Sequence, residues 1–206
     1  KEIKSCIMST YKKNLELLTK NNVYSKEMEH DACGVGLIAS TEGKKSREVV
    51  EYGIEALKAV WHRGAVDADG KTGDGAGIHL EIPKDFFVEK IEVTGHTHDG
   101  SDICVGMIFL PRNDYAAQES CKTIVESELT KNDFSIYGWR QVPVNPKVLG
   151  EKALQTMPEI IQVLFKANNK NLLDKDLERK IYETRKKIEN KAFNLSLNNF
   201  YICSIS

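Results

Sequence analysis

The chain has 206 residues, 41% of them hydrophobic and 29% charged, the balance of an ordinary globular protein with room for one large domain or two small ones. Its 29 Lys and Arg nearly cancel its 30 Asp and Glu, which removes the field that would draw it to nucleic acid or an anionic membrane. No run approaches the ~20 apolar residues of a membrane span, and the N-terminus lacks the apolar core of a secretory signal, so a cytoplasmic address and small neutral partners are expected.

Residues 1–32 are polar and charge-rich, with one weakly amphipathic stretch at 11–18, and read as a leader rather than as core. Met8 is a candidate true start, which would make 8–32 a short pro-segment. At Cys33 the character changes: Cys33-Gly34-Val35-Gly36-Leu37-Ile38-Ala39 is apolar, long enough for a buried strand and too short for a helix. Ser46 can cap the next helix, in which Val49, Val50, Ile54, Leu57, Val60 and Trp61 share a face and Gly64 is the expected stop.

Residues 76–82 and 103–110 read as strands, the second apolar throughout and so expected to be covered on both faces. A helix at 114–131, an extended stretch at 134–144, a short helix from Lys147, a strand at 160–165, a charged helix at 175–192 and a strand at 200–204 follow. The mixture predicts a layered α/β or α+β domain. It stops directly after a buried-looking strand, so a domain truncated on its C-terminal side is expected.

Three motifs carry weaker chemistry. The segment from Gly34 fits G-x-G-x-x-A, but the charged run 26–31 stands where a dinucleotide fold needs an apolar strand. Thr72-Gly73-Asp74-Gly75-Ala76-Gly77 lacks the lysine and hydroxyl of a phosphate loop and reads as a tight turn. His96-Thr97-His98-Asp99 offers ligand-type side chains without a third distant ligand, so a solvated turn is expected and no metal site. The five cysteines, Cys6, Cys33, Cys104, Cys121 and Cys203, are scattered and form no C-x-x-C pair, against a disulfide framework or a zinc knuckle. Cys104 and Cys121 read as buried small hydrophobes; Cys6 and Cys203 carry no signal. Cys33 alone stands at a polar-to-apolar junction, after the small Ala32, where cleavage would expose it.

Asp31-Ala32-Cys33-Gly34-Val35-Gly36, Trp61-His62-Arg63-Gly64-Ala65, Thr72-Gly73-Asp74-Gly75-Ala76-Gly77-Ile78, Ile82-Pro83 and Asp85-Phe86-Phe87, followed by Tyr137-Gly138-Trp139-Arg140-Gln141-Val142-Pro143-Val144 and Asn199-Phe200-Tyr201-Ile202-Cys203-Ser204, resemble the start of the glutamate synthase large subunits. The resemblance covers 33–206. It implies a class II glutamine amidotransferase domain of the N-terminal-nucleophile hydrolase type, an α+β four-layer αββα sandwich, here incomplete on its C-terminal side.

It further implies that leader 1–32 is removed to leave Cys33 as a terminal nucleophile whose own α-amine, with a pKa of ~7.7–8.0, serves as base. Arg63 is expected in a supporting role, against the plainer reading of a cation at helix C-terminal carbonyls. Gly73, Asp74 and Gly75 are expected to shape the pocket through their backbone. The implied reaction hydrolyses L-glutamine through a cysteinyl thioester and passes ammonia to downstream synthase domains of the same chain.

By the same resemblance the parent enzyme holds FMN and a 3Fe-4S cluster, none of it encoded here, and draws electrons from NADPH through a small subunit, with NADH or ferredoxin as other sources. The family's oxyanion-hole Asn-Gly pair and the residues that hold the glutamine carboxylate find no match before Ser206, so this chain alone is expected to be inactive. Two rival readings are a related class II amidotransferase feeding another acceptor, and a non-catalytic assembly fragment in which Cys33 is a core residue.

Overall fold

The computed structural model describes residues 34–61 and 64–206, together with 13–14, 16–17 and 19–20. The chain divides into two compact units, Lys1–Arg63 and Gly64–Ser206.

In the first unit the described core element is α1 (Arg47–Ala59). Ser46 starts it as expected, its Oγ accepting the Val49 amide at 3.3 Å. This meets one of the amide donors that a helix start leaves unpaired. Arg47 and Glu51, one turn apart, pair at 3.1 Å on the outer face. Val49, Val50, Ile54, Leu57 and Val60 are half-buried as one stripe. Trp61 is exposed, because the helix has already ended with Val60 as its C-cap, four residues before the glycine expected to stop it. The stretch 34–40 has no regular structure. With no neighbouring strand among the described residues to take up its amides, the apolar run that predicted a buried strand leaves Val35 92% and Leu37 89% exposed.

The second unit is built on a four-stranded antiparallel sheet in the order β2-β3-β1-β4, formed by β1 (Cys104–Leu110), β2 (Phe134–Gln141), β3 (Glu159–Ala167) and β4 (Tyr201–Ile205). β1 is central, with Val105 opposite Leu164 and Gly106 opposite Val163 on one side and Gly106 opposite Ile205 on the other. Because β1 and β2 are both antiparallel to the β3 that lies between them, they run parallel, and the helix joining them closes a split βαβ unit. The same holds for β3 and β4 around β1. The joining helices are α3 (Tyr115–Lys131) and α5 (Asp174–Asn194).

Both helices lie where their apolar spacing places them. Asp114 caps α3 by accepting the Ala117 amide at 2.9 Å, and the helix then buries Gln118, Cys121, Ile124, Val125, Glu128 and Leu129. Helix α5 buries Ile181, Thr184, Ile188 and Ala192, at the three- and four-residue steps of one helix face. With Cys104, Ile108 and Leu110 of β1, and with Phe134, Val163 and Phe165, they form the main core. Each fully buried Ile, Leu or Phe there contributes roughly 1.5–3 kcal/mol. Glu128 of α3, 5% exposed, is hydrogen-bonded by Lys191 of α5, and Arg185 donates to the Ile202 carbonyl at 2.8 Å, tying α5 to β4.

Among the described residues of this unit, α2 (Lys84–Val93) packs on one end of the opposite face. Phe87 and Ile91, one turn apart, pack there with Ile103, Val105, Tyr137 and Leu164. β1 is thus buried wholly on its helix face, whereas Met107 and Phe109 on the other face remain half-buried. Helix α2 was not expected. The signal available was Pro83 at its N-cap, where proline suits a helix start, followed by the Phe87/Ile91 step. Residues 76–82, expected as a strand, have no regular structure, and Ile78 and Leu80 stand exposed. A 3-10 turn (Pro146–Val148) and α4 (Glu151–Thr156) complete the unit. The expected α+β character is present, and among the described residues one sheet and the helices on it are formed.

Candidate active site

The segment 64–77 folds as a tight loop held by its own polar groups. A bridge joins Val66 to Gly73, and the Asp67 amide donates to the Thr72 carbonyl at 2.7 Å. Asp69 fastens the turn: its carboxylate accepts the Lys71 amide at 2.9 Å, the Thr72 amide at 2.7 Å and the Thr72 hydroxyl at 2.5 Å. This is how short acidic side chains stabilise turns. The Thr72 donors, first the hydroxyl and then the amide, hold the Asp69 carboxyl well below the usual range.

Of the residues expected at the site, Gly73, Asp74 and Gly75 lie in this loop. The Asp74 side chain accepts the Ala65 amide at 2.8 Å, and its own amide donates to the Ala65 carbonyl at 3.3 Å, so Asp74 closes the loop onto the residue two positions after Arg63. A Cβ at Gly73 would lie 3.2 Å from the Ala65 carbonyl oxygen, a tight fit that favours glycine there. Cys33 and Arg63 lie outside the described residues, as does most of the leader. In the first unit Gly34, next after Cys33 in sequence, approaches Val60, three before Arg63: a Cβ on Gly34 would sit 3.5 Å from Val60 Cβ.

The other cysteines separate by environment. Cys104 and Cys121 are buried in the main core, as expected; burial first, then nearby carboxylates, pushes the Cys104 thiol up to about 12 and the Cys121 thiol up to about 11. Both thiols are held in their protonated form near neutral pH and lie inside the core, the setting of structural cysteines. Cys203 is exposed on β4.

His96 and His98 are engaged locally rather than converging. His96 Nδ1 pairs with Thr94 Oγ1 at 3.0 Å and His98 Nε2 with the Ser101 carbonyl at 2.8 Å. Both rings lie against Tyr137, at centroid distances of 6.0 and 6.5 Å. Neighbouring Asp99 is held by Lys166 and Lys170, each at 2.8 Å. Lys166, Lys170 and Ser101 together drive its carboxyl far below the usual range. Among the described residues no three His, Cys, Asp or Glu side chains gather to hold a metal ion. The described residues therefore do not fit an iron-sulfur cluster. An open cavity of about 830 Å³ lies between 79–84 and α5, lined by His79, Ile82, Asp102, Cys104 and Glu178 among others; Gly73, Asp74 and Gly75 do not line it.

Sequence reasoning missed the role of Asp69 and the ties the loop makes to α4, where Lys152 Nζ lies 2.6 Å from Asp67. The Asp67-Ala68-Asp69-Gly70 string was a turn signal, but the partner of Asp67, Lys152, lies 85 residues later and left no trace in local pattern. Among the described residues, no helix is long and apolar enough to cross a membrane.

Comparison with known proteins supplies the family. The glutamine amidotransferases class-II model matches residues 33–206. The glutamate synthase (NADPH) large chain of Azospirillum brasilense is 52% identical over 199 residues, 97% of this chain and 13% of the relative. A ferredoxin-dependent glutamate synthase of Pyropia yezoensis is 39% identical over 92% of this chain, and ferredoxin-dependent glutamate synthase 1 of Arabidopsis thaliana 41% over 86%. The chain spans 11–13% of the length of these relatives. With the family match opening on Cys33 and running through the whole sheet-bearing unit, the chain belongs to the class II glutamine amidotransferases, an N-terminal-nucleophile hydrolase family.

Proposed function

We propose that this chain is the glutamine-hydrolysing part of a glutamate synthase large subunit, with residues 1–32 a leader removed on maturation and Cys33 the nucleophile. The observation that carries the reading is the 52% identity to the Azospirillum glutamate synthase large chain across nearly the whole chain, joined to a family match that begins on Cys33. Cys104 and Cys121 are chemically silenced by burial, which supports giving the role to a cysteine outside the core.

The chemistry follows from what amide hydrolysis needs. The Cys33 thiol passes its proton to the freed α-amine, and Sγ bonds to the side-chain amide carbon of glutamine. The protonated amine then gives that proton to the amide nitrogen as the carbon–nitrogen bond breaks, releasing ammonia and leaving a γ-glutamyl thioester. Water, deprotonated by the same amine, splits the thioester to glutamate and restores the thiol. A peptide nitrogen cannot accept a proton in this way, so cleavage after Ala32 is required for turnover. Arg63 supports the site, and the backbone of Gly73, Asp74 and Gly75 shapes the pocket.

Ammonia passes to synthase domains elsewhere in the parent chain for addition to 2-oxoglutarate. FMN and a 3Fe-4S cluster belong to those domains, and electrons from NADPH reach them through a small subunit that oxidises it. The NADPH assignment follows the Azospirillum relative; ferredoxin-dependent relatives match at lower identity. A cytoplasmic location accompanies this reading.

The test is intact mass and N-terminal sequencing of the full-length enzyme before and after 6-diazo-5-oxo-norleucine, a glutamine analogue that alkylates the nucleophile. The expected result is an N-terminus at Cys33 carrying one adduct. An uncut chain with Cys33 unmodified would refute the catalytic reading and leave a non-catalytic member of the family.

A further inference from the structure

Five of the fourteen residues of the 64–77 loop are glycine, which leaves the backbone wide freedom, so its internal bonds are supplemented from outside. The segment joining β2 to β3 supplies that second hold. Gly150, the N-cap of α4, has φ −73° and ψ 166°, a backbone that any residue adopts, so conformation does not require glycine there. Contact does: Gly150 is buried, and a Cβ on it would overlap Thr72 Oγ1 and Asp69 Oδ2 and lie 2.5 Å from the Thr72 nitrogen.

Lys152, two residues on, adds a polar tie, its Nζ pairing with Asp67 at 2.6 Å. The ion pair is exposed and is the weaker tie. Beyond the fastened stretch the loop is bare: at Gly75 and Gly77 a Cβ would meet nothing within 4 Å, and neither has a positive φ. Nothing among the described residues requires glycine at those two positions, which fits a backbone kept open for close approach by a small molecule.

We infer that Gly150, Asp69 and Lys152 are positioning residues for glutamine: they clamp the loop at Asp67, Asp69 and Thr72 so that the 73–77 backbone is held ready for the substrate. The inference rests on the glutamine-hydrolysing reading above. A methyl group at Gly150 must displace Thr72 by about 1 Å to reach ordinary contact, and displacements of that size in a positioning element cost on the order of 10- to 100-fold. Because the clamp touches neither nucleophile nor base, the loss falls on KM rather than on kcat.

The experiment is steady-state glutamine hydrolysis by the full-length enzyme and its Gly150→Ala variant, each checked for an unchanged melting temperature. The expected result is a KM for glutamine raised about tenfold or more, with kcat within about threefold. Asp69→Ala and Lys152→Met remove ties without adding volume and should raise KM severalfold and slightly, in that order. The Gly150→Ala/Asp69→Ala pair should lose no more than Gly150→Ala alone, because both changes break one contact. A KM within twofold of the unaltered enzyme in Gly150→Ala, or additive losses in the pair, overturns the clamp. Should Gly150→Ala not fold, unmoved KM values in both Asp69→Ala and Lys152→Met overturn it. An unaltered enzyme that does not hydrolyse glutamine overturns the reading beneath, and the clamp with it.

Discussion

Adding a single methyl group at Gly106 should destabilise the second unit, because this is the tightest point of its sheet. Gly106 lies on central β1 between Val163 of β3 and Ile205 of β4, and its backbone has no positive φ, so its glycine is explained by space. A Cβ would stand 2.7 Å from Val163 Cγ1 and 3.6 Å from Ile205. The second distance is ordinary, whereas the first must open by about 1 Å. Val163 is fully buried, and a β-branched side chain has few rotamers into which to retreat, so the strands must part. Overpacking of this kind costs about 1–3 kcal/mol, and the reduced freedom of the unfolded chain returns about 0.4–1 kcal/mol. At the middle of these ranges the net loss is about 1.3 kcal/mol, a fall in urea midpoint of roughly 0.6 M at an m-value of about 2 kcal/mol/M. Trp139 of β2 reports on this unit, and exposed Trp61 can be replaced by Phe so that Trp139 fluoresces alone. Val163→Ala should rescue Gly106→Ala, with the double variant more stable than the two single losses added. An unchanged or raised midpoint for Gly106→Ala would refute the steric account.

Two further outcomes follow from the same unit. Lys191, by hydrogen bond, and then the charges of Lys191, Lys131 and Lys187 lower the Glu128 carboxyl against the opposing effect of burial. A carboxyl depressed in the folded state adds stability that is present above the unfolded value of about 4.3 and is lost as pH falls through the folded value. Urea midpoints from pH 7 to pH 3 should therefore fall less steeply in Glu128→Gln than in the unaltered protein; parallel profiles would remove the pair from the account. Native alkylation followed by peptide mapping should modify Cys203 readily and spare Cys104 and Cys121 until denaturant is added, while early labelling of Cys121 would contradict its place in the core.

What could be read from the chain depended on whether the controlling partners were local. Helix α3 was legible because Asp114 caps it and Gln118, Cys121, Val125 and Glu128 recur at helical steps, and α5 because Ile181, Thr184, Ile188 and Ala192 do the same. Helix α2 was missed because only Phe87 and Ile91 of its ten residues are buried, too short a stripe to show a period. The apolar runs 33–39 and 76–82 were read as strands on pattern, but a strand also needs a ladder partner, which no local pattern encodes. Cys104 and Cys121 were readable as core thiols from their neighbours. Glycines and carboxylates marked the 64–77 loop as a turn, while its fastening to Gly150 and Lys152 is tertiary and appears only in the fold.

This division of labour also explains why the loop, rather than the sheet, is the place to look for glutamine recognition. The side chains that stabilise the second unit lie between the sheet and helices α3 and α5, and the described cysteines among them are locked in a state without nucleophilic reactivity. The 64–77 loop contributes no side chain to either core cluster, so its residues are free of packing duty and can be shaped by substrate chemistry. Freedom of that kind is useful only if the backbone is still held in one arrangement, since a glycine-rich loop left to itself samples many. Polar ties that add no apolar burial, from Asp69 to the turn and from Lys152 to Asp67, supply that restraint together with the close contact of Gly150 against Asp69 and Thr72. They do so without drawing the loop into the core, where it could no longer meet a ligand.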